Sequence, residues 1–160
     1  MVELLHDTVL ASGMTEEEVR LLAAVASEST FLKNELIFNE KESGDSIYLL
    51  LEGRVQIERK NIVSNRFLKR QLLTLRAGQV FGEMAFIEKG LRSASARAKG
   101  HVRVIVFSSQ KLEQLMQEHP VAGCKLMTSF ARILSQRLRR MNDHWLSKSL
   151  QNNHRVDFQR

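Results

Sequence analysis

The sequence predicts a mainly β domain flanked by helices, an α+β chain whose β part is a sandwich or barrel. Three observations carry this. Helical signals occupy the first 26 residues, strand-like runs separated by turn signals occupy about 30–107, and helical periodicity returns after Phe107. At 160 residues, 43% apolar and 26% charged, the chain has the composition of one ordinary globular domain. That length buries a core without disulfides or metals.

Residues 3–12 and 15–26 carry the N-terminal helical signals. Thr15 followed by Glu16, Glu17 and Glu18 is a capping hydroxyl with acids in the first turn. Leu21, Leu22 and Val25 supply the apolar face. Short β-type runs follow at 36–38, 47–51, 55–57, 72–75, 94–98 and 102–107. Ser43-Gly44-Asp45, Glu52-Gly53, Ala77-Gly78 and Lys99-Gly100 punctuate them. Many short strands at this spacing predict a sandwich or barrel. Residues 60–70 are polar and basic and read as an exposed hairpin loop. Ser108 or Ser109 can cap a helix carrying Leu112, Leu115 and Met116, and Pro120 suits the first turn of a second helix over about 121–150. The stripe Met127, Phe130, Leu134, Leu138, Met141, Trp145 has near-heptad steps. The helix is too long for one small barrel to cover, which predicts self-association through 121–148. Residues 151–160 form a polar tail, expected to fray.

Charge is distributed unevenly. Residues 1–120 hold 16 basic and 16 acidic side chains, whereas 121–160 hold 8 and 2, so the whole excess of +6 lies in the last 40 residues. Arg132, Arg137, Arg139, Arg140 and Lys148 fall on the long helix. Such a face is either a contact surface for phosphate or an acidic partner, or a solvated face whose cations suit the C-terminal end of the helix dipole. No apolar run approaches the roughly 20 residues of a membrane helix. The start, MVELLHDTVL, has no basic segment leading into an apolar one. Cys124 is the only cysteine and has no intrachain partner. These features predict a cytoplasmic protein.

The chemistry concentrates in residues 78–98, GQVFGEMAFIEKGLRSASARA. Gly82 opens a short helical stretch whose free backbone N–H groups could meet an anion, and glycine and alanine let a ligand approach the backbone closely. Glu83 is an acceptor inside that turn, and Arg92 returns nine residues later with a planar donor fork. A carboxylate suits a ribose hydroxyl and a guanidinium suits a phosphate. On residue types alone, the two could equally pair with each other across a hairpin.

The run Phe81-Gly82-Glu83-Met84-Ala85-Phe86, then Leu91-Arg92-Ser93-Ala94, resembles the phosphate-binding cassette of the cyclic-nucleotide-binding domain superfamily, the catabolite activator and protein kinase regulatory subunit type. Gly44-Asp45-Ser46-Ile47-Tyr48, Glu52-Gly53-Arg54-Val55 and Gly78 resemble the family's early hairpins. The likeness spans roughly residues 10–148. It implies a double-stranded β-helix, a jelly-roll-like barrel, with an N-terminal helical segment at 1–29. The barrel would occupy 30–108 with the cassette at 81–94, followed by C-terminal helices at 109–150 and the tail at 151–160.

By the same resemblance, Arg92 binds the exocyclic oxygens of a cyclic phosphate and Glu83 accepts from the ribose 2′-hydroxyl. Backbone N–H groups around Gly82, Met84, Ala85 and Ala94 hold ribose and phosphate, and Ser93 adds a hydroxyl. Met141 and Asn142 are the positions on the long helix expected to cover the base. Ser93 stands where a threonine is associated with cyclic GMP, which tilts the expectation toward cyclic AMP. Leu91 stands where the family often has proline.

The expectation is therefore a non-enzymatic, stand-alone sensor passing its signal through the C-terminal helices or a homodimer to an unknown partner. A DNA-binding regulator of the same superfamily would need on the order of 60 further residues for a winged helix-turn-helix. A ligand-free dimerisation scaffold would not need the intact Glu83 and Arg92. No metal-ligand spacing and no Ser-His-Asp arrangement is present, so neither a metal site nor hydrolysis is expected.

Overall fold

In the computed structural model, residues 1–63 and 66–156 are described, with side chains described outside 60–70, 144 and 147–156. The N-terminal segment forms α1 (Val2–His6), a 3-10 turn (Val9–Ala11) and α2 (Glu16–Ala24). The helical signal over 3–12 thus splits into two short pieces. Strands β1 (Ala26–Phe31), β2 (Leu36–Phe38), β3 (Ser46–Glu52), β4 (Arg54–Val63), β5 (Arg66–Arg76) and β6 (Val80–Phe81) follow. The short helix α3 (Glu83–Glu88) then precedes β7 (Ser95–Ala98) and β8 (Val102–Ser108), and α4 (Ser109–Glu118) and α5 (Pro120–Val156) close the chain.

Among the described residues the strands form two four-stranded antiparallel sheets, ordered β1-β8-β3-β6 and β2-β7-β4-β5. This is the predicted jelly-roll-like sandwich. Its centre is built by β3 and β8, which bury both faces. Tyr48, Leu50, Val102 and Val104 point between the sheets with Val55, Phe81, Ala96 and Ala98. Ile47, Leu49, Ile105 and Phe107 point outward, into a second core with Leu5, Leu22, Phe86, Leu112, Leu126 and Phe130. Side chains alternate across a strand, so an apolar run such as Ile47–Leu51 means a strand covered on both sides. Here the helices cover one side and the second sheet the other.

Three elements differ from expectation. Most of the stretch 60–70 read as a hairpin loop is strand: β4 and β5 stay paired from Arg54↔Arg76 to Val63↔Arg66, and residues 64 and 65 lie outside those described. Strand β1, ASESTF, carries no apolar alternation because it is an edge strand, paired on one side to β8. Helix α5 continues to Val156, into the segment expected to fray; residues 157–160 lie outside those described.

Ser108 occupies the N-cap of α4 without a side-chain cap bond, and the Ser109 hydroxyl donates instead to the Gly44 carbonyl at 2.8 Å. Thr15, by contrast, caps α2 as expected. Its hydroxyl accepts from the Glu18 N–H at 3.3 Å, and the Glu18 carboxylate accepts from the Thr15 N–H at 2.6 Å. The same carboxylate takes the Lys125 ammonium at 2.6 Å, tying α2 to α5. No helix among the described residues is long and apolar enough to cross a membrane. Thr15→Ala is expected to lower stability by about 1 kcal/mol, within the range of about 0.5–2 for a lost N-cap. A shift of the urea midpoint at unchanged slope would measure it.

Candidate functional site

The cassette is assembled around a turn that only glycine can make. Gly82 is left-handed, with φ +82°, and caps α3. A Cβ there would lie 2.7 Å from Arg92 Nη1 and 3.1 Å from the Ser46 carbonyl, so both the backbone conformation and the guanidinium exclude a side chain. Gly44 has a different reason. A Cβ there would stand 2.4 Å from Ala85 Cβ and 3.1 Å from the Gly90 carbonyl, so α3 lies directly on the Gly44 turn.

The segment between α3 and β7 that carries Arg92 into the site is anchored by its backbone. The Arg92 N–H donates to the Glu42 carbonyl at 2.8 Å, the Lys41 N–H donates to the Arg92 carbonyl at 2.8 Å, and Ser43 bridges Leu91. The same loop receives α4, because the Ser109 N–H donates to the Asp45 carbonyl. The cassette and the start of the C-terminal helices therefore share one connecting segment.

Arg92 is 4% exposed. Its Nη1 donates to the Gly82 carbonyl at 3.0 Å and its Nη2 to the Ser46 carbonyl at 2.7 Å. Its guanidinium carbon lies 4.2 Å from the centre of the Phe38 ring, within an aromatic group in which Tyr48 stacks on Phe81 at 5.0 Å. The Nε donor is buried without a partner. No carboxylate pairs with this guanidinium among the described residues. Burial pulls its pKa below the usual arginine value, against the opposing influence of Tyr48, Asp45, Glu42 and Glu83.

Glu83 is 1% exposed and does not pair with Arg92. Arg137, on α5, donates to its carboxylate and also to the Val80 carbonyl. Burial pushes the Glu83 carboxyl above the ordinary carboxylate range, although the Arg137 charge and the residue's own N–H pull it down.

The remaining candidates divide by exposure. Ala85 and Ala94 are buried in the cassette wall, whereas Met84 is exposed and the exposed Ser93 directs its hydroxyl to Met84 Sδ at 3.9 Å. Met141 and Asn142 are both exposed, on a stretch of α5 beyond the barrel. Arg137, one turn earlier, is the α5 residue that bonds Glu83. The sequence reading counts it among the basic residues of a face that is either a contact surface or solvated, and does not pair it with Glu83. A usable signal was present: Phe130, Ile133 and Arg137 are spaced three and four apart, which puts a cation on the buried stripe. The aromatic group Phe38, Tyr48 and Phe81 was likewise missed, since its members lie on three strands. Among the described residues, no group of three or more potential ligands could hold a metal ion.

The raised pKa of Glu83 has a defined sign. The folded protein binds this proton more tightly than the unfolded chain, so the contribution of Glu83 to stability falls as pH rises from the ordinary carboxylate value through the raised one. Glu83→Gln removes that dependence. Urea midpoints between roughly pH 4 and 7 are expected to shift in favour of the variant as pH rises; a pH-independent difference would contradict the raised value.

Comparison with known proteins places these features in context. The family model described as cyclic nucleotide-binding domain matches residues 28–119. A cyclic AMP receptor protein of Thermus thermophilus is 28% identical over 130 residues, 81% of this chain and 57% of the relative. A CRP-like cAMP-activated global transcriptional regulator of Mycobacterium tuberculosis is 26% identical over 145 residues, 90% of this chain and 61% of the relative. The chain thus spans about three fifths of these curated relatives. A crystal structure of a cyclic nucleotide-binding domain from Methylobacillus flagellatus superposes with a TM-score of 0.78 at 27% identity, covering 92% of this chain and 81% of that one.

Proposed function

The chain belongs to the cyclic nucleotide-binding domain family, and from that membership we propose that it is a non-enzymatic sensor of cyclic AMP. One observation supports this reading above the others: the guanidinium of Arg92 is buried without an anion. Two carbonyls and a ring face solvate it only partly, and its Nε has no acceptor. A buried charge in this condition is costly, and a cyclic phosphate would supply the missing countercharge together with acceptors for the donor fork.

The proposed roles are those that the family resemblance implies. Arg92 takes the exocyclic phosphate oxygens. Glu83 accepts from the ribose 2′-hydroxyl. The backbone around Gly82, Met84, Ala85 and Ala94 closes on ribose and phosphate, with the Ser93 hydroxyl at the rim. Met141 and Asn142 would reach the base only if α5 bent back toward the barrel. Ser93 favours cyclic AMP over cyclic GMP. No metal takes part, and the sensor works in the cytoplasm.

The output runs through the C-terminal helices. Leu138, Met141, Trp145 and Leu146 of α5 are 57–73% exposed and continue the stripe whose earlier members pack in the core. We assign this stripe to a homodimer contact with the same segment of a second copy. Leu138→Glu is expected to abolish dimerisation in sedimentation velocity while leaving the fold intact; an unchanged dimer would remove α5 from the contact.

Titration calorimetry with cyclic AMP and cyclic GMP tests the site. Arg92→Ala is expected to cost about 2–5 kcal/mol of binding, the range for a buried charge left without its partner. Unchanged affinity would refute the assignment. The second reading, a scaffold that binds no nucleotide, draws on the occupation of Glu83 by Arg137. Absence of heat from protein stripped of nucleotide by unfolding and refolding would establish it.

A further inference from the structure

We propose that Phe38 is a positioning residue for Arg92, its ring face holding the guanidinium in the pose that receives the phosphate. The inference rests on the sensor reading and adds to that site a residue from outside the cassette. The guanidinium carbon lies 4.2 Å from the centre of the Phe38 ring, against 5.8 Å from that of Tyr48. A ring face at that distance attracts a cation through its quadrupole, more strongly where water is excluded. Arg92 is 4% exposed, and the carbonyls of Gly82 and Ser46 take one hydrogen bond each from Nη1 and Nη2. The hydrogen bonds fix the ends of the fork, and the ring fixes its face.

The path of β2 points the same way. Side chains alternate along a regular strand, so Ile37 and Phe38 would leave it on opposite faces. Both pack against the core between the sheets instead. The pairing of β2 with β7 shifts register between Leu36 and Phe38, and such an irregularity re-aims a side chain. The strand thus departs from regular pairing at the residue that meets Arg92. Two further rings hold the Phe38 plane, Tyr48 at 5.7 Å and Phe81 at 6.0 Å. They belong to the segments that supply the carbonyls: Tyr48 follows Ser46 on β3, and Phe81 directly precedes Gly82. Both lie in the sheet β1-β8-β3-β6, whereas Phe38 comes from the other one. A guanidinium less firmly held binds more weakly, since only the molecules in the competent pose take the ligand. Ordering one rotamer-rich side chain corresponds to about a two- to tenfold change in Kd.

Calorimetric titration of the full chain with cyclic AMP, together with urea unfolding of the nucleotide-free protein, tests the role. Phe38→Leu removes the ring and is expected to weaken binding by about two- to tenfold. Phe38→Tyr keeps the ring face and is expected to restore binding close to that of the wild type. Phe38→trifluorophenylalanine, introduced at that position alone, keeps the ring in place and withdraws electron density from its face. It is expected to weaken binding toward the level of Phe38→Leu. Wild-type affinity in the fluorinated protein would overturn the proposal, because a ring that only fills space is indifferent to the charge on its face. Fluorination is also expected to lower the urea midpoint, and to lower it less once Arg92→Met has removed the cation. Equal losses in the two backgrounds would overturn the contact whether or not a nucleotide binds. Failure of the wild type to bind either cyclic nucleotide would instead refute the sensor reading, and the unfolding comparison would still decide whether Phe38 holds the guanidinium.

Discussion

The arrangement depends on one buried positive charge. Arg92 is enclosed by two backbone carbonyls and an aromatic face rather than by a carboxylate. The carbonyls come from separate elements, Ser46 at the start of β3 and Gly82 at the cap of α3. One side chain therefore fixes the distance between the sandwich and the cassette. The left-handed turn at Gly82, the exclusion of a Cβ there and the pairing of Arg92 with the 41–43 segment all serve to bring the guanidinium to this point. Such enclosure leaves the group underpaired, and a partly satisfied polar cluster is the sort of place where function departs from maximal stability.

The second charged pair has a different character. Glu83 and Arg137 neutralise each other, but they do so across two structural units, the cassette and α5. A buried pair is weak evidence for stability, because desolvation offsets much of the Coulomb gain, whereas loss of either partner strands the other. Its main effect here is positional: it determines where on the barrel the long helix stops being held. Helix α5 consequently lives in two environments. Its first half is a core element packed on α3 and α4, and its second half is an amphipathic rod with an uncovered apolar edge.

What could be read in the sequence was the local chemistry. Gly82, Glu83 and Ala85 lie within four residues of one another, and turn, acceptor and close approach are properties of that short segment. Thr15 and Glu18 form a capping box because they stand three positions apart, again a local relation. The strands β3 and β8 were legible because apolar residues fill both their faces. The edge strand β1 was not, since its pairing with β8 is a property of topology and its own residues show no alternation. The stripe from Met127 to Trp145 was read as one surface. The barrel ends partway along it, and nothing in the helix's periodicity marks that point. The partner of Glu83 was hidden for the same reason: 54 residues intervene, and only the fold brings Arg137 to the carboxylate. A cation interrupting an otherwise apolar stripe was the trace it left.

The exposed edge of α5 carries the chain's one tryptophan, Trp145, 73% exposed and two turns beyond Arg137. Indole emission depends on the polarity around the ring, and no other residue of this chain contributes an indole signal. The protein thus carries an intrinsic optical probe at the part of the helix whose surroundings change when it is covered. The emission maximum separates a solvated rod from a packed one without a dye or a labelling cysteine, and it can be followed on the stopped-flow timescale. The tyrosine that would complicate tyrosine-to-tryptophan transfer is also single: Tyr48, buried against Phe81 in the sandwich. Donor and acceptor therefore sit on opposite sides of the Arg137 contact, one in the rigid barrel and one on the projecting helix.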